Sequence, residues 1–250
     1  MPVSAGIHYQ VSKPGEGFPV LLLHGAGGMY LSWPVEVRRL SGTCIYALDL
    51  PGHGKTGGEG RRSIAEYATG VLEWMDQVGL QQVVAVGHSM GSAVALTLAI
   101  RHAERVIGLG LLGSAAKLQV NPRLLKMASS LQSYPQAVDQ IIKWSFSSQA
   151  PSRLIELVRL RMAASAQEVL YADLLACDEF DNRGDLHQIR HPALILCGVE
   201  DKMAPVSASE YLAASLVRST LVVIPGSGHM VMLEQPKLVA SALDSFLAGL

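Results

Sequence analysis

Cysteine is scarce in this chain of 250 residues, and its three copies (Cys44, Cys177 and Cys197) lie far apart with no Cys-x-x-Cys pair. An odd count at that spacing argues against a disulfide framework and against a structural zinc site. Cys44 and Cys197 fall inside apolar runs and read as buried, inert thiols. Net charge is equally sparse. Twenty Lys and Arg stand against 21 Asp and Glu, and the longest basic runs are pairs such as Arg38–Arg39 and Arg61–Arg62. The basic stripe of a nucleic-acid binder is therefore missing. No apolar run approaches the ~18 residues of a membrane span. The opening stretch MPVSAGIHYQVSK has no charged segment leading into an apolar one, as a secretory signal would. These absences lead to the expectation of a cytoplasmic, soluble protein whose partner is neither nucleic acid nor membrane. Global disorder is excluded too, because 49% of the residues are hydrophobic and supply a large core. The length suits one α/β body carrying an insertion better than two domains.

What is present is an alternation of short apolar runs and helical patterns. Pro19–His24, Cys44–Asp49, Val83–Val86, Val106–Leu112, Ala193–Cys197 and Leu221–Ile224 read as strands. They are almost uninterruptedly apolar, as expected of strands covered on both faces. Ser63–Val78, Ser89–His102, Ser207–Leu216 and Pro236–Leu247 carry helical spacing. In the first of these, Ile64, Tyr67, Val71, Trp74 and Val78 step by three or four along one face. Such alternation predicts a mostly parallel, doubly wound sheet with helices on both sides.

One stretch departs from it. Residues 115–185 read as helix throughout, with candidates at Pro122–Gln132, Pro135–Trp144, Pro151–Ala164 and Ala166–Cys177, each opening near a proline or small residue. The expected division is a core of residues 1–114 and 186–250 with a helical cap of residues 115–185.

The strongest chemical signal is Gly87-His88-Ser89-Met90-Gly91, which follows an apolar strand and opens a helix. In a sharp strand-to-helix turn a nucleophile is lifted above the sheet edge, and flanking glycines remove side chains that would collide. The amide of Met90 then lies at a helix N-terminus, where negative charge is favoured. A serine hydroxyl is a weak nucleophile that needs a base oriented by a carboxylate. Asp201 lies in the loop after the strand Ala193–Cys197, and His229 follows the strand ending at Ile224. A second oxyanion donor is expected from the small-residue loop His24-Gly25-Ala26-Gly27-Gly28, with the Ala26 amide as the candidate.

With these residues in view, the sequence resembles the α/β-hydrolase superfamily, in its capped esterase, lactonase and C–C hydrolase branch. LLLHGAGG at Leu21–Gly28, DLPGHGKT at Asp49–Thr56, GHSMGS at Gly87–Ser92, GVEDKMAP at Gly198–Pro205 and GSGHMVMLEQP at Gly226–Pro236 carry the resemblance. It covers nearly the whole chain apart from the cap. The resemblance implies an α/β-hydrolase fold, Ser89 as nucleophile, His229 as general base and acid, and Asp201 as the orienting carboxylate. It also implies oxyanion donation by the Met90 and Ala26 amides, with no metal and no cofactor.

Other residues have plainer readings. His24 and His53 belong to scaffold motifs, and His88 packs at the turn. Glu200 reads as a solvated neighbour of Asp201. Met29, Met203, Met230 and Trp144 are candidates for lining a substrate pocket, against ordinary core packing. The activity expected is hydrolysis of small to medium, largely apolar carboxylic esters through an acyl-enzyme, by a monomer or homodimer. A C–C bond hydrolase of ring-cleavage products or an enol-lactone hydrolase uses the same triad and stays open. A small-molecule sensor that uses the cap pocket is the non-enzyme alternative.

Overall fold

Apolar strands buried on both faces need helices above and below, and the chain supplies them in order. The computed structural model describes residues 3–15 and 17–250. Its strands are β1 (Val3–Ser4), β2 (Ile7–Ser12), β3 (Phe18–Leu23), β4 (Thr43–Leu48), β5 (Val83–His88), β6 (Val106–Leu112), β7 (Ala193–Gly198) and β8 (Ser219–Ile224). They form one sheet in the order β1-β2-β4-β3-β5-β6-β7-β8. From β4 to β8 all pairings are parallel, while β1 and β2 join antiparallel at one edge. That edge hairpin is an addition to the strands expected above. Every residue of β5 and β7 is buried, whereas β8, at the opposite edge, is only partly covered.

The helices are α1 (Ile64–Gln77), α2 (Met90–Arg101), α3 (Pro122–Ala128), α4 (Tyr134–Ser145), α5 (Ser152–Ala163), α6 (Gln167–Glu179), α7 (Val206–Ser215), α8 (Val231–Glu234) and α9 (Pro236–Leu247). Helix α1 starts where Ser63 and Glu66 cap each other's backbone amides, and it buries Ile64, Tyr67, Val71 and Trp74 as its spacing predicts. Strand alternation sorts the core into two layers. Leu21 and Leu23 of β3 join the layer under α1 and α2, and Val20 and Leu22 join the one under α9.

Helices α3 to α6 are inserted between β6 and β7, and Leu124, Ile141, Val158 and Leu170 tie them to the second core layer. The insertion leaves and re-enters through a short neck, where Lys117 bridges Asp181 and the Asn182 amide donates to the Ala116 carbonyl. Helix α3 stops at Ala128, four residues short of the expected Gln132. Ser129 and Ser133 turn their hydroxyls onto the Lys126 and Met127 carbonyls, which offers the backbone a turn in place of another helical step.

The chain runs outward from β3 to β4 in one direction and from β5 to β6 in the other. The carboxyl ends of β3 and β5 therefore flank a point where strand order reverses, the natural crevice of such sheets. The loop after β3 and the turn after β5 both open there.

Candidate active site

Ser89 occupies the turn between β5 and α2 with φ 52° and ψ −117°, a conformation costing about 1–3 kcal/mol that surrounding structure must hold. Its amide donates to the Leu112 carbonyl at 2.9 Å, and the Ser92 hydroxyl donates to the Gly87 carbonyl at 2.7 Å. Close backbone approach explains the glycines on either side. A Cβ on Gly87 would sit 2.2 Å from the Gly91 carbonyl oxygen, and one on Gly91 would sit 2.1 Å from that of Leu23.

Asp201 and His229 come from the loops after β7 and β8 and meet in the interior, 6% and 3% exposed. His229 Nδ1 lies 2.9 Å from Asp201 Oδ2, and the other carboxylate oxygen accepts the Met203 and Ala204 amides at 2.8 Å each. Burial pushes the Asp201 carboxyl up, but the imidazole and the two amides outweigh it and hold the group below the ordinary carboxylate value. An ionised Asp201 accepts a proton-bearing Nδ1, which assigns the tautomer that leaves Nε2 as the basic nitrogen.

His88 packs against His229, their ring centroids 4.8 Å apart, and faces the His229 carbonyl through Nε2 at 3.0 Å. Burial above all, then the neighbouring His229, lowers it to about 3, so it stays neutral. Glu234 of α8 completes the histidine loop, accepting the Gly228 amide at 2.8 Å and the Ser147 amide of the inserted segment at 2.9 Å.

The loop after β3 lies against Ser89, since a Cβ on Gly25 would fall 3.2 Å from Ser89 Cβ. His24 accepts the Leu50 amide at Nε2, so its Nδ1 carries the proton and donates to the Gly25 carbonyl at 2.8 Å. Burial keeps His24 well below its ordinary value and neutral. The Gly28 amide donates to the same Gly25 carbonyl, and the Gly27 amide donates to Asp173 of α6 at 2.8 Å. Two of the loop's amides are thus engaged within the scaffold.

Ser89 and His229 open onto one cleft of about 700 Å³ of empty space, part of it open to solvent. Met29, Met203 and Met230 line it, as does Ala26, together with Ile141, Ser145, Val158 and Arg161 of the inserted helices. Met90 sits at the first position of α2 with its side chain in the core. Trp144 does not line this cleft. Ile141 and Ser145, one turn apart on α4, face Ser89's cleft, which turns Trp144 toward α3 and into a neighbouring cavity shared with Leu124, Leu174 and Met203. Glu200 is likewise more than a solvated neighbour, because its carboxylate accepts the Ser148 amide and ties the inserted helices to the Asp201 loop.

Sequence reasoning missed Asp173, Glu234 and Arg161. Asp173 had a signal, an acid between Leu170 and Leu174 on the buried side of α6, where an unpaired carboxylate is not tolerated. Among the described residues no group of three or more His, Cys, Asp or Glu is arranged to hold a metal ion, and no helix is long and apolar enough to cross a membrane.

Residues 20–242 match the model of the Alpha/beta hydrolase family. The chain belongs to that family. It is 28% identical to a 2-hydroxymuconate semialdehyde hydrolase of Pseudomonas putida over 98% of this chain and 92% of the relative. A thermophilic esterase of known structure is 31% identical, with a TM-score of 0.82 and coverage of 97% of this chain and 98% of that one. Another thermophilic esterase, from Thermogutta terrifontis, is 25% identical with a TM-score of 0.89, covering 97% and 93%. Relatives of this alpha/beta hydrolase thus include proteins that break ester bonds and proteins named for other cleavages.

Proposed function

We propose that this alpha/beta hydrolase cleaves carboxylic esters of small to medium, largely apolar substrates through a covalent acyl-enzyme. The observation that carries the reading is the buried His229–Asp201 pair, 2.9 Å apart, with a serine held at positive φ on the same cleft. In the first step Ser89 Oγ attacks the ester carbonyl carbon while His229 Nε2 takes the hydroxyl proton. The carbonyl oxygen becomes an oxyanion held by the amides of Met90, at the start of α2, and Ala26, in the loop where the Gly27 and Gly28 amides are already engaged. Collapse of this intermediate breaks the ester C–O bond, and the leaving alkoxide receives the proton from His229. Water then repeats the sequence at the acyl carbonyl, giving its proton to His229 and releasing the acid and Ser89. Asp201 holds the imidazole in place and stabilises its charged form, and a neutral His88 adds no opposing charge beside it. The reaction draws on side chains and backbone alone. The methionine-lined cleft favours an apolar acyl or alcohol group.

A second reading has one observation behind it. Arg161 is the only Lys or Arg among the lining residues described for this cleft, which include no Asp or Glu, and its Nη1 donates to the Leu31 carbonyl. A guanidinium in an apolar cleft suits a substrate bearing a carboxylate, as the muconate of the Pseudomonas relative's name does. Hydrolysis of p-nitrophenyl esters from acetate to laurate, by wild type, Ser89→Ala and His229→Ala, tests the first reading. Turnover that peaks at short chains and vanishes in both variants is expected. A folded wild type without turnover overturns the ester reading and turns the search to ring-cleavage diketones and lactones. Ligand-dependent responses that survive Ser89→Ala without any turnover would instead mark a sensor.

A further inference from the structure

Asp173 is carried by the cap, yet its carboxylate is fully buried against the core. A buried carboxylate is costly unless donors fill it, and three do. Oδ2 accepts the Gly27 amide at 2.8 Å and faces His53 Nε2 at 2.8 Å, while Oδ1 accepts the Tyr67 hydroxyl. His53 and Tyr67 belong to the core scaffold. Gly27 is different, because it sits one residue beyond Ala26 in the loop laid against Ser89.

The cap holds Gly27 from both ends. Asp173 takes its amide, and the Ser165 hydroxyl donates to its carbonyl at 3.4 Å. Gly27 itself has φ 63°, and the Leu170 and Met162 side chains of the cap lie 3.1 and 3.3 Å from where a Cβ would stand. On the core side the Gly25 carbonyl accepts from the Gly28 amide at 3.0 Å and from His24 at 2.8 Å. In a trans peptide the carbonyl and the N–H point opposite ways, so fixing the Gly25 carbonyl aims the Ala26 N–H out of the loop. That aim depends on the tight Gly25–Gly28 turn, and Asp173 fixes the turn's third residue.

We infer that Asp173 is a positioning residue: by gripping the Gly27 amide from the cap, it aims the Ala26 amide at the developing oxyanion, so that oxyanion stabilisation requires the cap to be seated. This rests on the ester-hydrolase reading. His53 and Tyr67 hold the carboxylate in place, and Ser165 steadies the same glycine from its other side.

The test compares wild type, Asp173→Ala, Asp173→Asn and Gln167→Leu on one p-nitrophenyl ester, with binding of a trifluoromethyl ketone of matching chain length measured alongside. Removing one oxyanion donor costs about 10²–10³ in turnover, and misaiming one of two is expected to lower kcat about 10–100-fold. In Asp173→Ala, KM stays within about threefold and ketone affinity falls in step with kcat. Asp173→Asn keeps an oxygen for the Gly27 amide and recovers most of kcat. Gln167→Leu removes another buried hydrogen bond from the same helix, to the Ala128 carbonyl, and loses stability without losing kcat. A folded Asp173→Ala whose kcat and ketone affinity match wild type overturns the inference, as does an equal kcat loss in Gln167→Leu. Should Asp173→Ala not fold, Asp173→Ser, too short to reach the Gly27 amide, takes its place, and the same losses support or overturn the inference. A wild type inactive on every ester fells the ester reading and this inference together. An active, Ser89-dependent wild type indifferent to position 173 fells this inference alone.

Discussion

Replacing Gly91 with alanine sets two physical effects against each other. Gly91 is the second residue of α2 and does not have positive φ, so an alanine suits its backbone. Helix propensity alone then favours Gly91→Ala by about 1 kcal/mol. Against this, the new methyl would lie 2.1 Å from the Leu23 carbonyl oxygen and 2.7 Å from that of His24. Both obstacles are backbone, at the end of β3 where the Gly25–Gly28 loop begins, so no rotamer change relieves them. Helix and strand must separate by about 1 Å to restore an ordinary contact. Overpacking of this kind costs about 1–3 kcal/mol and occasionally more, and contact with backbone on a central strand places it at the upper end. The net loss is about 2 kcal/mol after the propensity gain, or about 4–8 °C in Tm for a chain of this size. The same separation moves the Met90 amide away from the Ala26 loop, and a 1 Å misplacement in a catalytic constellation costs about 10²-fold in rate. Thermal melting by circular dichroism and kcat on a short-chain ester read both effects. A Tm at or above wild type with kcat preserved would refute the packing argument.

Other expectations concern pH and selectivity. Asp201 is held below its ordinary pKa, so its stabilising contribution is fully present above about pH 3.9 and is lost as pH falls through the lower folded value. Acid unfolding of Asp201→Asn should accordingly show a shallower pH dependence than wild type, and an identical profile would contradict the assignment. His53 shifts the other way: burial lowers it, but the Asp173 carboxylate and its hydrogen bond prevail and raise it. Its contribution is complete below about pH 6.5 and drains away as pH rises through the raised value, so chemical denaturation from pH 6 to 9 should show a smaller loss in His53→Gln than in wild type. Arg161→Met should lower kcat/KM for a monoester of a dicarboxylic acid about tenfold relative to the neutral ester of equal length, the worth of one screened charged hydrogen bond. An unchanged ratio would remove Arg161 from substrate selection.

Much of this molecule was legible because its central strands are covered on both faces. β6 and β7 read as uninterrupted apolar runs, and the glycine-flanked turn at Ser89 announces itself by the close approach that Gly87 and Gly91 permit. Strand β2, by contrast, is IHYQVS, a partly exposed strand near the sheet edge whose polar residues dilute any pattern. Helix α8 is four residues long, too short for periodicity to register. The rotation of α4 about its own axis, which sends Trp144 to the neighbouring cavity, depends on how α4 packs against α3 and on no local signal. Asp173 lay within reach of the sequence as an acid on a buried helical face, but the partners that make it tolerable come from residues more than 100 positions away.

Distance along the chain also orders events in time. His229 follows His88 by 141 positions, and at ribosomal speeds of roughly 5–20 residues per second that interval is roughly 7–28 s. Through it Ser89 exists without the imidazole assigned to it as base in the proposed mechanism. Nor can β7 pair with β6 before all of α3 to α6 has been made, since those helices lie between them. On the proposed mechanism the nascent polypeptide is therefore chemically silent toward esters around it, and hydrolytic power would arrive only when strand β8 docks and delivers the His229 loop.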